Sequence, residues 1–338
     1  MSKAAPHLID VVIPVSGGLE FLDKWRSVLQ AYHIIVIQSG VENLQIPEGF
    51  NITIYRVSDA KKILGDDAWC LINNDGSLNR SFGYIMSQKK YVYTFDEGCL
   101  CASDPSGKEI DALAEHLVNL TSPATPFFFN TLYDPYRPGT DFVRGYPFSL
   151  REGVATAVSH GLWLNRPDYD TATALVKPHE RNARYVDAVL TVPKGVLYPM
   201  SSINLAFDRE AIGASMYNCM SIIEQPGDEM WSGLCAKVIS DHLGHGHKTG
   251  LPYIWNSEKP IAKLVSNIQK DTKVLLWQEE LVPFFSQLKL SPASNTAVLA
   301  YTEIAETVKK QLGPKDQYFM QLSEAMLCWV RCWTSVKK

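Results

Sequence analysis

No apolar run in the 338-residue chain approaches the roughly 20 residues that a membrane-crossing helix requires, which sets aside a helical membrane protein. Excess positive charge is missing too. The 32 lysines and arginines stand against 36 aspartates and glutamates, a formal net charge of -4, so no basic field gathers nucleic acid or an anionic membrane. A nucleotide ligand would have to be met by local donors. The first residues, MSKAAPHLIDVV, have no signal-peptide core, and the expectation is a cytoplasmic protein. Pairs of the form C-x-x-C are also lacking. The seven cysteines (Cys70, Cys99, Cys101, Cys219, Cys235, Cys328 and Cys332) are scattered without zinc or redox spacing and read as reduced, buried residues. No internal repeat or low-complexity stretch interrupts the chain.

What is present begins with Ile9 to Val15, a β-branched run that delivers Ser16-Gly17-Gly18 and so reads as a buried strand entering a tight turn. Phe21, Leu22, Trp25, Val28 and Leu29 follow at helical spacing, and His33 to Gln38 is a second apolar strand. Strand, turn, helix, strand opens a parallel α/β sheet, whose ligands gather at the carboxyl ends of the strands. Further strands are expected at Asn51 to Arg56 and Tyr91 to Phe95, with a helix over Gly107 to Leu120.

From Pro123 to Pro199 aromatic, proline and glycine residues crowd together, which predicts an ordered site built on loops and short strands. Met230 to Leu243 has helical periodicity and Leu251 to Trp255 reads as a strand. The last 60 or so residues are helical. There Phe319, Leu322, Met326, Trp329 and Trp333 form an apolar seam, open to two readings: packing on the chain's own core, or a docking surface for another subunit. His242, His245 and His247 could ligate a metal, but they sit on a helix end and turn, where solvation is the favoured explanation. Asp66-Asp67 and Glu279-Glu280 read as solvated surface.

Four segments are far longer than a chance motif: TPFFFNTLYDPYRPGTDFVRGYPFSLREGVATAVSHGLWLN from Thr125, LVKPHERNARYVDAVLTVPKG from Leu175, INLAFDRE from Ile203 and KVISDHLGHGHKTGLPYI from Lys237. By these, colinear over residues 8 to 275 and more loosely beyond, the chain resembles the plant reversibly glycosylated polypeptides, the UDP-arabinopyranose mutases. The resemblance implies an α/β, GT-A-like domain over residues 8–275 that binds a UDP-sugar with Mn²⁺ or Mg²⁺, and a helical C-terminal extension over 276–338. It also implies interconversion of UDP-arabinopyranose and UDP-arabinofuranose for cell-wall synthesis, homo- or hetero-oligomers with family paralogues, and a place on the cytosolic face of the Golgi.

Family members become reversibly glycosylated on an arginine. Here it corresponds to Arg144, with Arg151 also implicated. A guanidinium is protonated at neutral pH and has no free lone pair, so a carboxylate must take its proton as it attacks the anomeric carbon. Asp228, in Asp228-Glu229-Met230-Trp231, is the expected partner. Asp96 and Glu97 are expected at the metal and phosphate end, and Lys177, Arg181 and Arg184 as phosphate donors or, equally, as ordinary surface cations.

The chain departs from the family pattern where nucleotide and metal would sit. Asp96-Glu97-Gly98 stands for Asp-Asp-Asp, Gly17 for an arginine, Gln38-Ser39-Gly40 for Gln-Asp-Gly, Asn256 for a histidine and Gly76 for an aspartate. Hard cations need carboxylate oxygens, so these changes weaken the expected metal site. Two readings follow: a mutase, or a non-catalytic subunit that assembles with an active paralogue. A glycosyltransferase with another acceptor is a third, requiring the same altered pocket.

Overall fold

The computed structural model describes residues 5–40, 44–73, 75–219, 228–257, 277 and 279–336. Its centre is a nine-stranded sheet in the order β3-β2-β1-β4-β8-β6-β9-β5, with β7 also paired to β9. The strands are β1 (Ile9–Val15), β2 (His33–Gln38), β3 (Asn51–Tyr55), β4 (Tyr91–Phe95), β5 (Cys99–Cys101), β6 (Thr156–Asn165), β7 (Val189–Val192), β8 (Asn204–Asp208) and β9 (Gly246–Asn256). The first four are parallel, as the apolar, β-branched runs predicted, since strands covered on both faces need no polar alternation. The α/β expectation and the helical C-terminal segment both hold.

Several elements differ from expectation. The first helix is split into a 3₁₀ segment, Glu20–Trp25, and a single turn α1, Arg26–Leu29. Helix α2 (Val57–Leu64) follows β3, and α3 (Ser81–Met86) precedes β4. Helix α4 starts later than expected, at Ala112, and runs to Thr121. Asp111 sets that start by accepting a hydrogen bond from the Ala114 amide at 2.9 Å, the usual service of an aspartate N-cap. The region expected to be loops and short strands contains the ten-residue β6, which lies between β8 and β9 in the sheet. The strand expected at Leu251 to Trp255 is the second half of the longer β9. That strand pairs with β6 along one side, and with β7 then β5 along the other.

The aromatic segment between α4 and β6 is pinned from within. The Asn130 side chain donates to the carbonyls of Tyr133 and Asp141 and accepts from the Val143 amide, and Phe128, Phe142 and Tyr146 meet edge-on or tilted. Beneath it the fully buried Lys248 of β9 pairs with the equally buried Asp134 at 2.8 Å.

Short helices α5 (Thr171–Val176) and α6 (Arg209–Ile212) follow β6 and β8, and α7 (Asp228–Leu243) leads into β9. The C-terminal helices are α8 (Ala297–Gln311) and α9 (Gln317–Ser335), N-capped by Thr296 and Asp316. All five seam residues of α9 are at most 2% exposed, which decides for the chain's own core and against a docking surface. Trp329 lies flat on Tyr217, its ring centroid 4.9 Å away, and donates to the Ala214 carbonyl at 2.7 Å. Trp333 lies under the Arg209 guanidinium. The proposed boundary at residues 275–276 lies outside the described residues.

Candidate functional site

Strand direction decides which loops meet. β1, β2 and β4 are parallel, β6 and β9 are parallel, and β4 and β6 are each antiparallel to β8, so all five point the same way. Val15, Gln38, Phe95, Asn165 and Asn256 therefore end at one edge of the sheet, where α/β folds bind ligands. Every departure from the family pattern noted above lies on a loop at this edge or leads from it.

Hydrogen bonds tie these loops together. The Glu97 carboxylate accepts from the amides of Ser16 at 2.9 Å and Gly17 at 3.0 Å and from the Ser16 hydroxyl. Ser39 donates its amide to the Val15 carbonyl, and its hydroxyl reaches the Leu78 carbonyl. Gly40 packs so closely on Ser16 that a Cβ would stand 2.0 Å from the Ser16 carbonyl oxygen, so no other residue fits there without moving the backbone. Ser257 donates its amide to the Gly98 carbonyl at 3.0 Å, and the Asn165 side chain donates to the Asn256 carbonyl at 2.7 Å.

Asp96 is ion-paired with Arg80, whose guanidinium also donates to Thr94 Oγ1 and the Ser202 carbonyl. A further carboxylate, Asp168, follows β6. It keeps an open face to solvent, but the atoms crowded around it, and then the charge of Asp96, push its carboxyl above the ordinary range against the pull of Arg166. Sequence reasoning missed both Arg80 and Asp168. The available signal for Asp168 was a carboxylate three residues past a strand end; Arg80 offered none.

As arranged, the expected metal residues do not fit a divalent cation. Asp96 is neutralised by Arg80, Glu97 is spent on the Ser16–Gly17 turn, and Gly98 has no donor. Among the described residues no three metal-capable groups converge here. A hard cation takes several oxygen ligands at once, and this edge does not present them together.

The expected sugar-handling residues lie on other loops. Arg144 is exposed on a turn closed by the Tyr146 amide on the Val143 carbonyl, and it makes no hydrogen bond or ion pair among the described residues. Arg151 is instead built in: its guanidinium lies 4.0 Å from the Phe148 ring centroid and 5.0 Å from that of Phe142, and it donates to the Tyr146 carbonyl. Asp228 opens α7, and its side chain lies outside the described residues; Trp231, one turn on, is fully buried against Phe285.

Arg181 and Arg184 line a cleft of about 480 Å³ with Leu162, Trp163, Asn182, Tyr253 and the carboxylate-bearing Glu180, whose carbonyl accepts from the Arg181 guanidinium at 2.6 Å. Paired backbone bonds between Asn165 and Asn182 hold this cleft beside the carboxyl end of β6. Lys177 caps the end of α5 and reaches over the Tyr169 ring.

Among the described residues the three histidines do not converge as a ligand group. His242 meets the Ser294 carbonyl, and His247 is buried on β9 with Nε2 on Ser240 Oγ at 2.8 Å, so packing rather than solvation accounts for it. All seven cysteines are free, six of them buried, as expected.

A mixed sheet covered by helices, with carboxylates and an arginine at its carboxyl edge, defines a protein of the α/β class. Residues 5–338 match the family described as reversibly glycosylated polypeptide, and the chain belongs to that family. It is 53% identical over 344 residues to a protein of Pisum sativum named probable UDP-arabinopyranose mutase 1, covering 99% of this chain and 94% of that one. It is also 53% identical to UDP-arabinopyranose mutase 1 of Arabidopsis thaliana, covering 96% of this chain and 92% of that one, and 52% identical to its namesake of Oryza sativa subsp. japonica, covering 96% and 90%. Among solved structures it is similar to glucosyl-3-phosphoglycerate synthase of Mycobacterium tuberculosis in complex with Mn²⁺, uridine-diphosphate and phosphoglyceric acid. The TM-score is 0.40 at 13% identity, covering 84% of this chain and 80% of that one.

Proposed function

We propose that this chain serves the interconversion of UDP-arabinopyranose and UDP-arabinofuranose as a subunit that assembles with an active paralogue, its own centre being catalytically quiet. The observation that carries this is the state of the two acidic residues. Asp96 and Glu97 are held by Arg80 and by the Ser16–Gly17 turn, so neither is available to bridge a metal to a diphosphate. The subunit keeps the cleft of Arg181 and Arg184, two cations suited to a diphosphate. Its place is the cytosolic face of the Golgi, in supply of arabinofuranose to the cell wall.

Two observations favour catalysis by the chain itself. Arg144 is exposed and without a partner among the described residues, as a sugar-accepting nitrogen must be, and Asp168 adds a carboxylate beside Asp96. In that reading Asp228 takes the guanidinium proton as the nitrogen displaces UDP. The ring then opens, closes through a different hydroxyl and returns to UDP.

Incubating the purified chain with UDP-arabinofuranose and Mn²⁺, alone and mixed with an active paralogue, separates the two. No product alone, together with co-elution and altered turnover in the mixture, supports the subunit. Conversion by the chain alone, lost in Arg144→Ala, overturns it.

A further inference from the structure

The geometry points to a thiolate metal site for a zinc-like divalent ion, built from Cys70, Cys328 and Cys332 at the junction of the C-terminal helix with the sheet domain. Cys328 and Cys332 are four apart on α9 and so share a helix face, while Cys70 comes from the 3₁₀ segment Gly65–Leu71 that follows α2. The three sulfurs all lie within 4.8 Å of one another, and each residue is at most 1% exposed. The sulfurs of Cys70 and Cys332 are 3.8 Å apart. Zinc–sulfur bonds of about 2.3 Å in a tetrahedron place two ligand sulfurs about 3.8 Å apart, so the pair already spans an ion. Such a separation is far too long for a disulfide.

Asp67 borders the cluster, and the fourth position is left to water. Its Oδ1 and its carbonyl oxygen each stand 3.3 Å from Cys328 Sγ, and the carbonyl is 3.6 Å from Cys332 Sγ. Arg331 bonds the same carboxylate at 2.7 Å, orienting it and offsetting the negative charge of three thiolates. Asp67 is 38% exposed, which leaves the ion an entrance on an otherwise buried cluster.

Binding releases the thiol protons to solvent as the sulfurs coordinate. The ion would clamp α9 to the turn after α2, independently of any chemistry at the sheet edge.

The test uses the full chain, purified without chelator, with metal content measured and Co²⁺ then exchanged in. The expected result is about one ion per chain, thiolate-to-cobalt charge-transfer absorption with tetrahedral d–d bands, and a lower melting temperature after chelation. Cys328→Ser and Cys332→Ser should each lose or weaken the cobalt spectrum. Cys101→Ser, which removes a thiol elsewhere, should leave it unchanged. Absence of metal and of any charge-transfer band in folded wild-type protein overturns the site. A mass loss of two hydrogens per chain, mapping a disulfide to these cysteines, overturns it in favour of a redox staple.

Discussion

Lys248 and Asp134 are joined by an ion pair of 2.8 Å in which neither side chain meets solvent. The ammonium also donates to Ser122 Oγ at 2.7 Å, so one lysine on β9 fastens both the end of α4 and the aromatic loop. Burial lowers the lysine's proton affinity, and the aspartate's charge offsets this only in part.

Removing one partner of such a pair strands a buried charge. Asp134→Ala should cost about 3–5 kcal/mol of stability, read from urea unfolding, with the loop around Asn130 becoming sensitive to protease. A loss under about 1 kcal/mol would mean that water replaces the carboxylate.

Acid should weaken the fold through its buried histidines. Burial takes His116 from 6.5 to about 3, against the acceptor Asn204, and His160 from 6.5 to about 4; His247 is also well below its ordinary value. Between pH 6.5 and about 4 the unfolded chain binds protons that the native state refuses, so the unfolding free energy rises with pH. Stability, full above this window, should fall on acidification by up to about 1.4 kcal/mol per pH unit for each histidine. Urea midpoints at several pH values check it; a flat profile over this window would contradict neutral burial.

The two arginines implicated in sugar attachment should behave differently. Arg144 has no partner among the described residues, so Arg144→Ala should change stability by less than about 0.5 kcal/mol. Arg151 stacks on Phe142 and Phe148, and Arg151→Ala should cost about 1–2 kcal/mol. Thermal melts of both proteins, read beside labelling with radioactive UDP-sugar, separate an acceptor from a packing residue.

Restoring carboxylates should restore metal affinity. In the double variant Glu97→Asp, Gly98→Asp the shorter side chain releases the Ser16–Gly17 turn, and a new carboxylate joins Asp96 and Asp168. Calorimetric titration with Mn²⁺ should show binding tighter by on the order of tenfold, about 1.4 kcal/mol. Unchanged affinity would mean that Arg80 keeps Asp96 from the ion.

The parallel half of the sheet was legible because Ile9 to Val15 and His33 to Gln38 are apolar without alternation, which only doubly covered strands afford. β6 was hidden by its own composition: the histidine, serine and glycine of SHGLW break the apolar run, yet His160 finds Tyr198 and Gly161 admits the Asn204 side chain. At the site, Asp96 and Glu97 could be placed at a strand end from sequence. Their partners Arg80 and Asp168 arrive from other segments, and long-range pairing leaves no local pattern. The thiol cluster was invisible for the same reason, Cys70 and Cys332 being 262 residues apart.

The burial of the α9 seam has a consequence for synthesis. Tyr217 and Ala214, midway along the chain, are completed by Trp329, and Arg209 by Trp333. Trp329 is made 115 residues after Ala214, so a nascent chain carries an open apolar face over that interval, which chaperones can attend.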